Sequence, residues 1–297
     1  MTLPQSRIDV AVIGAGIIGV CTALELAERG MKVTIFDPAP VCSKTSYGNA
    51  GVISPWTCVP QSMPGLWKQV PRWLINPEGP ISIRLGYLPK LMPWVLRFLA
   101  AGRSERIDPV ADGLFRLSRG SVAAYKKRLA GTGQEQLVRD SMYVHVYRNP
   151  KAASLDHLGW QLRQSRQVPI ELIDKHALQE IEPHIADDFE AAILIKQQGR
   201  ASDPAGIGIA LAEKALAKGA SHIQTKVHEI HPDQGSGCQL VTDQGVFTAK
   251  KIVLAAGVLL VFVVLLPLLI TILYRSEGLI DEPVDYVDSL SKTLRPM

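Results

Sequence analysis

The chain has 297 residues with 47% hydrophobic and 20% charged side chains, a balance that excludes disordered, collagenous and simple-repeat chains. Its 32 basic and 28 acidic residues leave a net charge of +4 with no dense basic run, which argues against a nucleic-acid partner. Cys21, Cys42, Cys58 and Cys238 form no CxxC pair, and the first residues lack a secretory signal, so a reducing, cytoplasmic setting is expected.

Residues 8–13 (IDVAVI) form a short β-branched run ending at Gly14 and read as a buried strand. From Ile17 to Arg29 the spacing of Ile17, Cys21, Leu24 and Ala27 predicts a helix with one apolar face, closed by Gly30. Lys32 to Phe36 reads as a second strand, so the start of the chain is a βαβ unit with parallel strands. From Pro55 to Pro93 the chain is rich in proline and holds Trp56, Trp67 and Trp73, with Trp94 beside it; loops and short helices are expected until a helix at Leu88–Ala100. Residues 108–130 read as helical, Met142–Tyr147 as an alternating strand and Leu155–Arg166 as a helix. Ser202 and Asp203 can cap a helix that Pro204 opens, Ile207, Leu211, Ala215 and Leu216 continue at helical spacing, and Gly219 ends. Three strand candidates follow, with a turn at Asp243-Gln244-Gly245 and a last strand at Lys251–Ala256.

The motif that carries chemistry is Gly14-Ala15-Gly16-Ile17-Ile18-Gly19, a GxGxxG between a strand and a helix. Gly14 permits the tight turn, Gly16 lets the backbone approach a pyrophosphate, and Gly19 lets helix and strand pack closely. The helix N-terminus offers N–H groups and partial positive charge to phosphates. Asp37 ends the second strand, placed to accept from ribose hydroxyls. The pattern predicts an adenine dinucleotide and leaves NAD and FAD both open.

Thr45-Ser46-Tyr47-Gly48-Asn49-Ala50-Gly51-Val52-Ile53-Ser54 resembles the SxxNAGxxS stretch of FAD-dependent D-amino-acid dehydrogenases, within the glycine oxidase and D-amino-acid oxidase superfamily. Gly199–Ala220 resembles that family's DP-containing helix, and Val253-Leu254-Ala255-Ala256-Gly257 its LAAG strand end beside the flavin. The resemblance runs in order over residues 8–257. It implies FAD as cofactor, with Thr45, Ser46, Asn49, Ala50 and Gly51 around the cofactor, Val227 where the backbone meets adenine, and Ala256 and Gly257 by the flavin. Independently, consecutive small residues at Asn49-Ala50-Gly51 let backbone N–H groups converge into an anion-binding nest, and Asn49 brings a donor and an acceptor for flavin edge atoms.

The implied chemistry is oxidation of the Cα–N bond of a D-amino acid or similar small amine to an imine, which water converts to a 2-oxo acid and ammonia. The flavin does the hard step, so no side chain is nominated as a general base. Oxygen or a quinone chain is the expected electron acceptor. His228 and His231 lie three apart on a strand with no third ligand nearby, so packing or solvent histidines are expected rather than a metal site. The tryptophans are expected in core or interface packing, and Cys42 and Cys58, which flank the NAG loop, as buried reduced thiols.

Past Gly257 the resemblance implies further strands, an arginine or tyrosine for the substrate carboxylate, and a closing glycine-rich segment. Instead Val258–Tyr274 is 17 residues without a charge, close to the roughly 20 that span a bilayer. Pro267 within it is tolerated in membranes, and Lys250, Lys251 and Arg275 flank both ends without setting an orientation. A membrane anchor, a frameshift or fusion that replaced the true C-terminal part, and a buried apolar segment all fit. The second is favoured, because a core strand running straight into a span leaves the substrate sheet unfinished, with exposed edges; such a chain would be an inactive FAD-binding remnant. The predicted architecture is α/β: a Rossmann-like FAD-binding domain from 1–55 and 200–257, an incomplete inserted α+β substrate domain at 56–199, a candidate transmembrane helix at 258–274 that would attach the chain to the cytoplasmic membrane face, and a polar tail at 275–297.

Overall fold

The structure is a computed structural model describing residues 8–68, 70, 76, 85–233 and 237–257. The chain divides into two compact units. Of the described residues, the first gathers those up to Gly51, Lys126–Leu137 and those from Ala201 onward; the second gathers those within Val52–Tyr125 and Val138–Arg200.

The first unit is built on β1 (Ile8–Ile13), α1 (Ile17–Glu28) and β2 (Val33–Asp37). Both strands are almost wholly buried, as parallel strands covered on both faces must be, which is why they read as unbroken apolar runs. The sheet continues with β7 (Ser221–Gln224), β8 (Val227–Asp233), β9 (Gly237–Thr242) and β10 (Gly245–Leu254), in the order β7-β2-β1-β10-β9-β8. β7, β2, β1 and the second half of β10 run parallel, with Ile8 level with Ala249 and Ile13 with Leu254. The first half of β10 pairs antiparallel with β9, and β9 with β8. This meander folds over the parallel strands: the Phe36 and Phe247 rings meet edge-on at 5.1 Å, and Leu240 is buried with Ile8, Ala11, Phe36 and Ala249.

α1 buries Gly19, Val20, Ala23, Leu24 and Ala27, a stripe of mostly small residues that lets it lie close to the sheet. It packs against α7 (Pro204–Ala217). α7 begins where predicted: Asp203 accepts from the Gly206 N–H at 2.9 Å and Pro204 fills the first turn. Both helices end alike, Met31 N–H donating to Leu26 C=O and Ala220 N–H to Ala215 C=O, with Gly30 and Gly219 at the turn. Asp203→Ala is expected to lower the unfolding free energy by about 1 kcal/mol, read from urea denaturation midpoints. Residues 126–137 are tied to this unit by the Arg128 guanidinium, paired with Glu25 and Glu28 of α1, and by Lys214 of α7, whose ammonium donates to the Arg128 and Ala130 carbonyls at 2.8 Å.

The second unit holds β3 (Val52–Ile53), α2 (Leu88–Ala101), α3 (Ser104–Ser118), most of α4 (Ser121–Leu129), β4 (Val138–Tyr147), α5 (Leu158–Ser165), β5 (Ile170–Asp174), α6 (Lys175–Ile181) and nearly all of β6 (Ala191–Ala201). β6 is the spine, flanked by β3 and β4 and paired with β5. Its Ile193 and Ile195 are buried with Cys58, Trp160 and Val168. The single helix expected over 108–130 is two, broken at Arg119 and Gly120. The tryptophans form no one cluster among the described residues: Trp56 stacks on Phe115, Trp94 is exposed and stacks on Phe98, Trp67 is exposed, and Trp73 lies outside the described residues. Among the described residues no helix is long and apolar enough to cross a membrane; the candidate span at 258–274 lies outside them.

Candidate dinucleotide site

The parallel strands of the first unit deliver Gly14, Asp37 and Ala255 to their carboxyl ends, where open α/β sheets bind ligands. The turn after β1 is stitched to both neighbours: Gly14 N–H donates to Phe36 C=O at 2.8 Å and Ala255 N–H to Ile13 C=O at 2.7 Å. Gly14 takes φ +111°, and a Cβ there would stand 2.4 Å from the Ala255 oxygen. At Gly19 a Cβ would stand 1.9 Å from the Gly14 oxygen, so this glycine sets how closely α1 approaches β1. Gly16 differs from both. Its backbone is extended (φ −73°, ψ 175°), and the nearest atom to an added Cβ is Ser46 Oγ at 3.4 Å, an ordinary contact. The fold therefore needs Gly14 and Gly19. The bare backbone of Gly16 instead leaves space at the N-terminus of α1, which fits a pyrophosphate.

Asp37 is half-buried and held by two backbone groups. Its Oδ2 accepts from Ala15 N–H and its Oδ1 from Ala39 N–H, both at 2.8 Å. Each oxygen keeps a second lone pair, so an oriented carboxylate remains to receive ribose hydroxyls. Ile17 and Ile18 open α1, and the Ile17 N–H donates to Ser46 Oγ at 3.0 Å, which draws the Thr45–Gly51 loop against the glycine turn. Asn49 also has a part within its own loop. Its Nδ2 donates to Ser46 C=O at 3.1 Å and its Oδ1 accepts from Gly51 N–H at 2.9 Å, so its carboxamide braces its own loop and leaves one N–H and one lone pair for a ligand. Ala50 and Thr45 are exposed, and Gly51, at φ +67°, packs so tightly that a Cβ would lie 2.3 Å from the Ala201 oxygen.

Ala256 and Gly257 follow Ala255 at the same end of the sheet. Val227 opens β8 three residues after Gln224, which pairs level with Asp37; its side chain packs on the core cluster of Ile8, Phe36 and Leu240. The residues expected to bind the cofactor, from Gly14 to Gly51 and at Val227, Ala256 and Gly257, thus fall in one unit. Among the described residues no group of three or more His, Cys, Asp or Glu could hold a metal. His228 instead lies 2.6 Å from Asp243, and His231 2.8 Å from Glu229.

The sequence reading assigned Cys42 no part in this turn. Buried and at φ +54°, it donates its N–H to Ala15 C=O at 2.9 Å, while its Sγ lies where a Cβ on Gly208 of α7 would come within 2.1 Å. It wedges the fingerprint turn against α7, a role a lone cysteine does not announce by spacing. Burial pushes its thiol up from 9.0 to about 11. A raised acid pKa favours the folded state below the unfolded value, so this contribution is complete below pH 9.0 and is lost as the pH climbs towards about 11. Guanidinium unfolding between pH 8 and 11 is expected to show stability falling over that window in the native chain, and falling less in Cys42→Ala.

A parallel βαβ core with a glycine turn and a fixed acidic residue at its strand ends defines a dinucleotide-binding α/β protein. Residues 9–295 match the FAD dependent oxidoreductase (DAO) family, and the chain belongs to it. The match runs past Gly257, where the resemblance by motif stops. The chain is 32% identical over 259 residues to a D-amino-acid oxidase of Bradyrhizobium diazoefficiens, covering 86% of this chain and 61% of that protein. It is 27% identical to a D-amino acid dehydrogenase of Rhizobium rhizogenes, over 84% and 61%. It therefore spans about three fifths of these relatives. Among solved structures, glycine oxidase from Bacillus cereus superposes with a TM-score of 0.55 at 22% identity over 84% of this chain and 55% of that one. L-Amino acid deaminase from Proteus myxofaciens gives 0.58 at 20% identity over 86% and 47%. At these identities the two structures show the shared fold. FAD is the cofactor of the family.

Proposed function

We propose that the chain acts in the oxidation of the Cα–N bond of a D-amino acid or similar small amine, giving an imine and then a 2-oxo acid and ammonia. The observation that carries this reading is the 32% identity, across 86% of the chain, to a protein named D-amino-acid oxidase. Bound FAD would supply the two-electron acceptor for that step. The chain's own residues hold and orient. The first turn of α1 and the bare backbone of Gly16 would hold the pyrophosphate, where N–H groups and the helix dipole favour negative charge. Asp37, already fixed by Ala15 and Ala39, would receive the ribose hydroxyls, and Val227 would offer its backbone to adenine. Thr45, Ser46, Asn49-Ala50-Gly51 and Ala256-Gly257 would hold the flavin ring.

The test is flavin reduction by the full chain reconstituted with FAD. Anaerobic addition of D-alanine, D-valine, glycine, sarcosine or proline is expected to bleach the flavin band with at least one of them, and with the primary amines D-alanine, D-valine and glycine the products to include ammonia and a 2-oxo acid. Retained flavin that none of them reduces would leave a cofactor-binding protein without this activity. Oxygen consumption during turnover separates an oxidase from an enzyme that passes electrons to a quinone chain. The reading includes a cytoplasmic location, and fractionation of lysed cells tests the membrane-anchor alternative for residues 258–274: an anchored chain appears in the membrane fraction, a frameshift or fusion product without an anchor does not.

A further inference from the structure

The second unit holds a partly open cavity of about 330 Å³ that the dinucleotide site does not use. It begins at Ser54, three residues past the NAG loop, and its wall continues through Trp56 and Cys58 to Tyr143 and His145 of β4, Arg163 of α5, and Ile195 and Gln198 of β6. Such a volume sits at the lower end of small-molecule pockets, which run from roughly 300 to 1,000 Å³. Two polar groups in its wall lack partners. Gln198 is 1% exposed, yet neither its amide nitrogen nor its amide oxygen has a hydrogen-bond partner. An unpaired buried carboxamide costs free energy at both of its ends, so the Gln198 side chain in this wall is short of the hydrogen-bond partners that a bound ligand would supply.

The Nε of Arg163 is likewise buried and unpaired. This arginine donates from one terminal nitrogen to Gly159 C=O at 3.0 Å and lies over the Trp160 ring at 4.7 Å. Among the described residues no carboxylate pairs with it, and no Asp or Glu lines the cavity. An arginine side chain stays protonated in proteins, so the wall carries one fixed positive charge that no carboxylate among the described residues balances. Burial, reinforced by the charge of Arg163, lowers the pKa of His145, and burial raises that of Tyr143; both shifts favour the neutral ring. The rest of the wall is mostly apolar, chiefly Trp56, Val59 and Ile195.

We propose that this cavity binds a small monocarboxylate with an apolar tail: the carboxylate on the Arg163 guanidinium and the Gln198 amide N–H, the tail against Trp56, Val59 and Ile195. The Gln198 oxygen remains as an acceptor for an amine beside the carboxylate. Amino acids and 2-oxo acids both belong to this class, and in connecting the cavity to them the inference rests on the amine-oxidising reading above. The site is made of residues before Gly257, apart from the later segment in which the family resemblance expects a carboxylate-binding arginine or tyrosine.

The test is calorimetric titration of the full chain with 3-methylbutanoate and with 3-methylbutanamide, which has nearly the same shape and no charge. The carboxylate is expected to bind at least tenfold more tightly than the amide. Arg163→Gln is expected to remove that preference and Arg163→Lys to keep part of it. Gln198→Leu should weaken the carboxylate severalfold. Equal binding of acid and amide, or a preference that survives Arg163→Gln in a protein with unchanged circular dichroism, overturns the proposal. If Arg163→Gln does not fold, the acid–amide comparison on the native chain and the Gln198→Leu titration decide. Carboxylate binding that depends on Arg163, with no amino acid reducing the flavin, would defeat the amine-oxidising reading alone. Flavin reduction by a D-amino acid without such binding would defeat this inference alone.

Discussion

Gly16→Val is expected to purify as a folded protein that has lost its flavin. The two halves of that result have separate causes. A Cβ at Gly16 meets no protein atom closer than Ser46 Oγ at 3.4 Å, and the extended backbone there suits any residue. Valine is therefore expected to leave the βαβ unit intact, and circular dichroism and the melting temperature of the flavin-free protein should match those of the native chain. The side chain would instead fill the space in front of α1 that a pyrophosphate needs, removing close approach to the backbone N–H groups. Flavin retained through gel filtration, read from visible absorbance, is expected to fall at least tenfold, about 1.4 kcal/mol or more in binding. Gly16→Ala, with a single methyl group, should fall between the two. Native flavin content in Gly16→Val would mean that the cofactor does not lie on this turn.

How much of this was legible in the sequence depends on how local the cause is. β1, α1 and β2 lie close to their expected bounds because a buried strand, a small-residue helix stripe and a capped turn are each written in adjacent residues. The cap of α7 is equally local, since Asp203 and Pro204 act on the next few N–H groups. β6 was not picked out by pattern. It is apolar through Ile195 and then polar through Lys196 and Gln197, and what makes it a strand is pairing with β3, β4 and β5, all distant in the chain. The strand expected at Met142 begins at Val138, because Arg139 and Asp140 lie on an exposed stretch where no alternation marks the edge. Within the site, the glycines and Asp37 were readable, whereas the inward use of Asn49 depends on how its loop curls back. The cavity wall was out of reach altogether. Tyr143, Arg163 and Gln198 come from three elements, and no spacing in the chain links them.

The larger loss of stability is expected at Gly19. A Cβ there would stand 1.9 Å from the Gly14 oxygen and 3.0 Å from its carbon, and neither can withdraw cheaply. Gly14 is itself fixed by the hydrogen bond from its N–H to Phe36 C=O, and Ala255 blocks its other side. Relief requires α1 to lift from β1, which would open the contacts of Val20, Ala23 and Leu24, all fully buried. Overpacking of a tight core costs about 1–3 kcal/mol and occasionally more, and here the obstacle is backbone, so about 3 kcal/mol or more is expected for Gly19→Ala. Against the 5–15 kcal/mol typical of a folded domain, that places the variant near the threshold of folding. Gly113 of α3 supplies the control: it is exposed, has no atom within 4 Å of an added Cβ, and lies inside a helix, so Gly113→Ala should stabilise by about 0.5–1 kcal/mol. Chemical denaturation of the three proteins separates the effects. With Gly16→Val, the pair divides one motif into a glycine that the fold requires and a glycine that the ligand requires. A Gly19→Ala protein as stable as the native chain would mean that α1 stands further from β1, and the pyrophosphate cradle at its N-terminus would have to be redrawn with it.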